Sequence, residues 1–158
     1  MSFDRLMATL DYPMFIVTAA AGGEPSGCLV GFATQASIHP PRFLVCLSDK
    51  NRTYRVACEA ETLAVHFVAA DQEDLAGRFG GETGDEVDKF EGVEWRPSPG
   101  GAPVLEACPN WFAGRVLERL PLGDHVGFLL EPVHAEVAGD YEEFTFHRAR
   151  RIEPGHPP

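Results

Sequence analysis

Basic residues are scarce in this chain. Its 158 residues include 13 Lys and Arg against 24 Asp and Glu, which gives a formal net charge of −11 at pH 7. A polyanion approaching such a protein meets net electrostatic repulsion. The charge balance therefore argues against nucleic acid and against anionic membranes as partners.

Long apolar runs and paired cysteines are also missing. No segment approaches the roughly 20 apolar residues that span a bilayer, and the first ten residues lack the basic start and continuous apolar core of a signal peptide. The four cysteines are Cys28, Cys46, Cys58 and Cys108, with no C-x-x-C pair and no histidine at metal-ligand spacing. We therefore expect no metal site, cysteines that serve as small core residues rather than as ligands or redox groups, and a cytoplasmic protein.

The remaining composition is that of an ordinary globular protein. Hydrophobic residues make up 44% of the chain and charged residues 23%, which excludes disordered, collagen-like and coiled-coil classes. The length suits one domain with a single core. We expect that domain to cover residues 1–152, followed by a frayed, proline-rich tail over residues 153–158.

Apolar runs rich in Val, Phe, Leu and Ile recur between glycine and proline turn signals. Gly22 and Gly23 provide turn chemistry for a hairpin between the first two runs. Alternating side chains in the second half of the chain indicate a half-buried antiparallel sheet, so the fold class is mainly β. The predicted strands are Phe15–Ala20, Gly27–Gln35, Arg42–Leu47, Thr62–Ala69, Trp111–Leu120 and His125–Val137.

Helices are predicted to be few and short. Three segments fit, Phe3–Leu10, Thr53–Ala60 and Gln72–Phe79, the last with Asp71 as its N-cap. The segment Gly80–Pro103 is rich in glycine, proline and acidic residues and has little periodicity. It predicts a long loop.

A polar segment follows the third predicted strand and opens the second predicted helix. Ser48, Lys50, Asn51 and Thr53 bring hydroxyl, ammonium and amide groups next to free helix N–H groups, which predicts a phosphate site. The alternative is a structural loop in which Asn51 caps the helix and Lys50 and Arg52 are solvated.

The second predicted strand contains two glycines and then a polar cluster. A glycine inside a strand often marks the close approach of a ligand or of another backbone segment, and Gly31 lies just before Thr34 and Gln35. A flat ligand with an amide-rich rim would suit this edge. The alternative is a bulged strand that leads into the turn at Pro40 and Pro41.

Two histidines have different interpretations. His125 follows Asp124 at the start of a predicted strand, and an imidazole beside a carboxylate can donate a proton or a hydrogen bond to a ligand. The alternative for His125 is a turn residue. His66 lies within an apolar run, which predicts a hydrogen-bonded core histidine. No Ser-His-Asp, Walker-type or GxGxxG pattern has supporting context, which counts against hydrolases and the common dinucleotide-binding folds.

In this order the segments resemble the flavin reductase-like family, whose members fold as FMN-binding split β-barrels. The family includes flavoredoxins and the reductase components of two-component monooxygenases. The similarity runs from about Phe3 to Arg151 and is most specific in Gly27–Arg42 and in Ser48–Thr53. Further similar segments are Glu73–Ala76, Arg78–Phe79, Asp88–Phe90, Gly101–Leu105, Gly123–His125 and His147–Arg148.

The resemblance implies an antiparallel split β-barrel of Greek-key type with a few short helices. It implies FMN as cofactor, with FAD as the alternative, and NADH or NADPH as electron donor. His125 is implied to be the catalytic residue that positions the nicotinamide. The implied cofactor-binding residues are Val30, Gly31, Phe32, Ala33, Thr34, Gln35, Ser48, Lys50, Asn51, Thr53, Arg78 and Phe79.

The implied activity is that of an NAD(P)H:flavin oxidoreductase, acting as a homodimer and supplying reduced flavin to a partner monooxygenase. Two alternatives stay open: an FMN-binding electron carrier, and a split-barrel domain that binds flavin without turnover. The chain departs from the family pattern at Gly31 and Phe32, where many members have hydroxyl or amide side chains. It also carries Ala149 and Arg151 where the family has Gly and an aromatic residue.

Overall fold

The computed structural model describes residues 1–81 and 88–152. Four short helices occur in these residues: α1 (Ser2–Met7), α2 (Arg52–Ala57), α3 (Glu73–Gly81) and α4 (Phe146–Ala149). The same residues form nine strands: β1 (Phe15–Ala21), β2 (Glu24–Val30), β3 (Ala33–Ser37), β4 (Arg42–Ser48), β5 (Thr62–Phe67), β6 (Trp95–Pro97), β7 (Pro103–Leu105), β8 (Trp111–Pro121) and β9 (His125–Glu136).

Seven strands form one sheet in the order β2-β1-β5-β8-β9-β4-β3. Every neighbouring pair in this sheet is antiparallel. The non-local pairings of β1 with β5 and of β4 with β9 give the sheet a Greek-key character. The predicted fold class, mainly β and antiparallel with a few short helices, is confirmed.

The two edge strands of this sheet are consecutive in the chain. β2 ends at Val30 and β3 begins at Ala33, so only Gly31 and Phe32 separate the two edges. Such a short link spans at most roughly 10 Å, so the sheet curls until its edges approach each other. At the gap, the Cys46 N–H donates to the Phe32 carbonyl at 2.8 Å. We call the opening at Gly31 and Phe32, between β2 and β3, the seam of the barrel.

β1 is buried on both faces because successive side chains of a strand point in opposite directions. Phe15 and Val17 belong to the core cluster inside the barrel, together with Leu63 on β5. Ile16 points to the other side and packs in a second cluster with Phe79 of α3. Coverage of both faces explains why this strand is a continuous apolar run.

His66 connects the sheet to the β6–β7 ribbon. The ring is fully buried, its Nδ1 lies 2.8 Å from the Ile16 carbonyl, and the Leu105 N–H donates to its Nε2 at 3.0 Å. Only the neutral tautomer with the proton on Nδ1 makes both hydrogen bonds. Burial lowers the pKa of His66 from 6.5 to about 4. The prediction of a hydrogen-bonded core histidine is confirmed.

The predicted strand Gly27–Gln35 is wrong as one continuous element. The chain leaves its pairing with β1 after Val30 and joins β4 from Ala33, so two strands replace one. The hairpin predicted at Gly22 and Gly23 is confirmed, with positive φ angles of 58° and 80° at the two glycines.

The predicted loop Gly80–Pro103 is also partly wrong. Its first two residues belong to α3, and β6 pairs with β7 from Trp95 opposite Leu105. The two-stranded β6–β7 ribbon is attached to the rest of the chain by the Thr18 hydroxyl, which donates to the Pro103 carbonyl at 2.5 Å. A contact between such distant residues leaves no local sequence pattern, so the ribbon was not predicted. Residues 82–87 of the loop and the tail over residues 153–158 lie outside the described residues.

Smaller differences concern the helices. α3 begins at Glu73, so Gln72 rather than Asp71 precedes it. Helix α4 was not predicted, because its four residues are too few to show a helical period. Among the described residues, no helix has the length and apolar character needed to cross a membrane.

Candidate functional site

A cavity of about 220 Å³ lies at the seam of the barrel. It occupies the place where β2 and β3 separate, so backbone that would otherwise be paired borders open space. Its lining comprises Tyr12, Met14, Cys28, Leu29, Val30, Gly31, Phe32, Cys46, Leu47, Ser48, Asn51, His125 and Phe146. We call this cavity the seam pocket.

One wall of the seam pocket is backbone. The Gly31 carbonyl accepts from Ala33 N–H at 3.1 Å, and the Phe32 carbonyl is bonded to Cys46. In the part of the chain that the structure describes, neither the Gly31 N–H nor the Phe32 N–H donates to a protein acceptor. Two adjacent backbone donors are therefore available to a ligand at the seam.

Little space surrounds Gly31 for a larger side chain. A Cβ at this position would lie 2.8 Å from a ring carbon of Tyr12 and 3.0 Å from the Met14 sulfur. Both distances are shorter than ordinary van der Waals contacts. The groups that crowd Gly31 are side chains that themselves line the pocket, so the close approach of a ligand at Gly31 stays a prediction.

A second wall carries polar side chains. Ser48 ends β4, and its hydroxyl oxygen accepts from Lys50 N–H at 3.3 Å. Asn51 caps α2, since its Oδ1 accepts from Thr53 N–H at 2.7 Å, which is the contact expected in the structural alternative for this loop. Ser48 and Asn51 both line the pocket, so the cap and the cavity share one loop.

His125 stands at the first position of β9, paired with Ser48 of β4. Its Nδ1 lies 2.8 Å from the Asp124 carboxylate, and this hydrogen bond keeps the pKa of Asp124 below its usual value. Because an ionised carboxylate only accepts, the proton sits on Nδ1 and Nε2 becomes the acceptor of the neutral ring. The Phe32 ring packs against this imidazole with centroids 5.0 Å apart.

The remaining wall is aromatic and joins the two ends of the chain. Tyr12 stacks on Phe146 of α4 with ring centroids 4.8 Å apart and planes 16° apart. The Phe146 N–H donates to the Tyr12 carbonyl at 2.9 Å, and the His147 N–H donates to Asp11 at 3.0 Å. These bonds fix α4 against the segment that precedes β1.

Several predicted site residues are not brought into the pocket. Thr53 is buried and its hydroxyl is bonded to the Ser26 hydroxyl at 2.8 Å. Phe79 is a core residue, and Arg78 donates to the backbone carbonyls of Lys89 and Glu91. These three groups support the structure around the site.

Other predicted residues lie beside the pocket without lining it. Ala33, Thr34 and Gln35 belong to the edge strand β3, where Gln35 donates to the Ser37 carbonyl. The Lys50 ammonium is about half exposed and pairs with Asp49 at 3.2 Å. Val30, Gly31, Phe32, Ser48, Asn51 and His125 are the predicted residues that meet in the pocket.

Two groups of lining residues were not predicted. Tyr12, Met14 and Phe146 lie at opposite ends of the sequence, and the available signal was the aromatic Phe146 next to the matched His147. Cys28 is a buried core residue, as expected, and Cys46 is partly buried; both also border the cavity. Burial raises the pKa of both thiols, so they border it as neutral groups.

Comparison with known proteins identifies the family. A model of the flavin reductase-like domain matches residues 7–155. The chain belongs to the flavin reductase-like family. The match confirms the predicted resemblance and places this chain in an oxidoreductase family, as expected.

Curated members of the flavin reductase-like family support the match over most of the chain. The chain is 28% identical to the ferric-chelate reductase (NAD(P)H) of Archaeoglobus fulgidus, over 94% of this chain and 89% of that protein. It is 32% identical to FMN reductase (NADH) RutF of Klebsiella pneumoniae, over 78% of this chain and 75% of that protein.

A solved oxidoreductase structure has the same fold. The NADH:FAD oxidoreductase SgcE6 of Streptomyces globisporus, in complex with NAD and FAD fragments, superposes with a TM-score of 0.83 and 26% identity. The match covers 94% of this chain and 88% of that one. The flavin reductase fold predicted for this chain is therefore confirmed.

Proposed function

We propose that this protein is an NAD(P)H:flavin oxidoreductase that binds FMN, or FAD in its place, in the seam pocket. The observation that carries the proposal is the pocket itself. It combines two available backbone N–H donors at Gly31 and Phe32 with an imidazole oriented by Asp124. A flavin bound there would supply the redox chemistry by accepting a hydride from a nicotinamide.

The pocket fits one edge of a flavin ring. The pyrimidine edge of the ring carries acceptor atoms on which negative charge develops during reduction. The N–H groups of Gly31 and Phe32 would hydrogen-bond this edge, and the stacked pair of Tyr12 and Phe146 would provide a flat apolar wall. The backbone contact matches this sequence, which has no hydroxyl or amide side chain at either seam position.

Ser48 and Lys50 are the groups we assign to the flavin phosphate. The Ser48 hydroxyl accepts from Lys50 N–H, so its own proton is available to an anion. The exposed pair of Lys50 with Asp49 contributes little stability, so a phosphate can compete for the ammonium. Asn51 stabilises the loop by capping α2. Thr53 stabilises it through the hydrogen bond between its hydroxyl and the Ser26 hydroxyl.

His125 is assigned to the nicotinamide. Its Nε2 is the acceptor of the neutral ring and would receive a hydrogen bond from the carboxamide N–H of the donor. Hydride transfer needs the two reacting atoms roughly 3–3.5 Å apart, so a group that fixes the ring contributes through geometry. Asp124 holds the imidazole in this orientation.

The function is tested by titrating FMN into the purified protein and following flavin fluorescence. Binding in the seam pocket should quench the fluorescence, with a Kd below about 10 μM. Tyr12→Leu removes half of the aromatic wall and is expected to weaken FMN while the protein still folds. Absence of FMN binding at tens of micromolar, on that same scale, would refute the assignment.

Replacing Lys50 with alanine should weaken FMN about tenfold, because one charged hydrogen bond to the phosphate is lost. Riboflavin lacks that phosphate, so its affinity should be nearly unchanged. Both ligands are titrated into both proteins by fluorescence quenching. An equal loss of affinity for FMN and for riboflavin would show that Lys50 does not bind the phosphate.

We further propose a homodimer. Apolar side chains are exposed on β8, on β9 and in the residues that follow β9. A cavity of about 200 Å³ lies beside Trp111 and Tyr141 on this surface. Val137, which borders that cavity, is 83% exposed, and Val133 is 49% exposed. A second copy would cover such a surface. A monomeric mass in solution at micromolar concentration would contradict this proposal.

We infer that the reduced flavin is delivered to a partner monooxygenase, as the family includes reductase components of such systems. The electron-carrier alternative differs in one measurable respect, since a carrier needs no nicotinamide turnover. The cytoplasmic location stays a prediction from the sequence.

A further inference from the structure

Phe32 has a solvent-exposed aromatic side chain at the mouth of the seam pocket. It is 55% exposed, whereas the neighbouring lining residues Val30 and Leu47 are 5% and 1% exposed. Among the described residues that line the pocket, Phe32 is the large apolar side chain that is more than half exposed. Water contact with so much apolar surface is unfavourable, so a ligand that covers the ring gains affinity.

Two contacts hold Phe32, one on its backbone and one on its ring. The Phe32 carbonyl accepts from Cys46 N–H at 2.8 Å, which ties the backbone to β4. The side chain rests on His125 with centroids 5.0 Å apart and planes inclined by 51°. His125 is in turn held by Asp124 and by its pairing with β4. The Phe32 ring therefore lies against an imidazole that is itself held in position by Asp124.

The chemistry of this pair suits a small flat ring that carries an amide. Phe32 offers an apolar surface for ring packing, and His125 offers an acceptor nitrogen for an amide N–H. A nicotinamide ring with its carboxamide has both features. The pair is also reachable from solvent, as an electron donor that leaves after each turnover requires.

We propose that Phe32 is a positioning residue that packs against the nicotinamide ring of the electron donor, with His125 receiving the carboxamide. The proposal rests on the proposed function and deepens it, because it assigns a contact with the donor to the side chain of a residue whose backbone N–H is proposed to bind the flavin. Phe32 would act twice: its N–H at the flavin edge and its side chain on the nicotinamide. Replacing the side chain leaves the N–H in place, so the two roles can be separated.

The test compares three variants with the wild-type protein, each saturated with FMN. Phe32→Ala removes the ring, Phe32→Tyr keeps it, and Ile38→Ala removes an apolar side chain that is 67% exposed but does not line the pocket. The probe is a tetrahydro analogue of NADH, which binds like the donor and cannot transfer hydride. Its Kd is measured by calorimetry, alongside the Kd of FMN and the steady-state KM and kcat for NADH and NADPH.

Phe32→Ala should weaken the analogue and raise the nicotinamide KM by about tenfold, as loss of a packed aromatic ring implies. The Kd of FMN should change by less than about threefold, because the backbone donors remain. Phe32→Tyr and Ile38→Ala should behave like the wild-type protein.

Two results would overturn the assignment. Analogue binding and KM unchanged in Phe32→Ala, in a protein whose wild type oxidises nicotinamide, would remove Phe32 from the donor site and leave the proposed function standing. Weakening of FMN by as much as the analogue would assign the ring to the flavin instead. A wild-type protein that binds FMN but neither analogue nor donor would overturn both the assignment and the reductase function.

Discussion

Acidification is expected to destabilise the folded protein through His66 by about 3 kcal/mol, the equivalent of the shift in its pKa from 6.5 to about 4. The folded-state pKa lies below the unfolded-state value, so the unfolded chain binds the proton more tightly. The contribution of neutral His66 is therefore complete above pH 6.5 and is lost as the pH falls toward about 4. Protonation would also turn Nε2 into a donor and break its hydrogen bond from Leu105.

The measurement is the free energy of unfolding in urea at a series of pH values for the wild type and for His66→Gln. The variant has no titrating group at this position, so its stability should fall less between those limits, whatever its stability at neutral pH. His134→Gln is the matched control, because His134 is an exposed histidine paired with Glu136. If the free energy of unfolding has the same pH dependence in the wild type and in His66→Gln, His66 is not the cause of the acid destabilisation.

Replacing His125 with alanine is expected to slow hydride transfer or raise the nicotinamide KM by up to about 100-fold, the cost of a misplaced reacting ring. FMN binding should stay nearly intact, since the seam donors and the Ser48 hydroxyl are unchanged. The rate of flavin reduction under single-turnover conditions separates the two effects, because it measures the chemical step apart from donor binding.

His134→Ala serves as control for this variant too. His134 lies on the same strand as His125 and also contacts a carboxylate, but it is outside the seam pocket. Its loss should leave flavin reduction unchanged. Unchanged kinetics in His125→Ala with both NADH and NADPH would return His125 to the alternative interpretation, a turn residue beside Asp124.

Much of the barrel could be predicted because its strands are buried in ways that leave a local pattern. β1 is covered on both faces and was predicted to within one residue as Phe15–Ala20. β4 and β5 are also apolar runs and were placed to within two residues. The polar loop after β4 was visible because Asn51 caps the helix that follows it.

The rest depended on contacts between distant parts of the chain. The break at Gly31 and Phe32 exists because the two edge strands bind different neighbours, which no local alternation encodes. Tyr12 and Phe146 meet only because α4 docks on the segment before β1. The β6–β7 ribbon depends on a hydrogen bond to His66.

The candidate site also combines residues that were predicted from the sequence with residues whose position depends on distant contacts. Residues predicted from the order of matched segments, such as Ser48 and His125, do meet in one pocket. Thr53 belonged to the same matched loop, yet its hydroxyl turns inward to Ser26. A helical residue next to a cap points either to a ligand or to the core, and only the packing of β2 decides between them.

The most direct test of the central claim is anaerobic mixing of the FMN-loaded protein with NADH and, separately, with NADPH, while the absorbance of oxidised flavin is followed. A flavin reductase should bleach the flavin with at least one donor, at a rate that saturates with donor concentration and falls in His125→Ala. A protein that binds FMN but leaves it oxidised with both donors would contradict the account and favour an electron carrier.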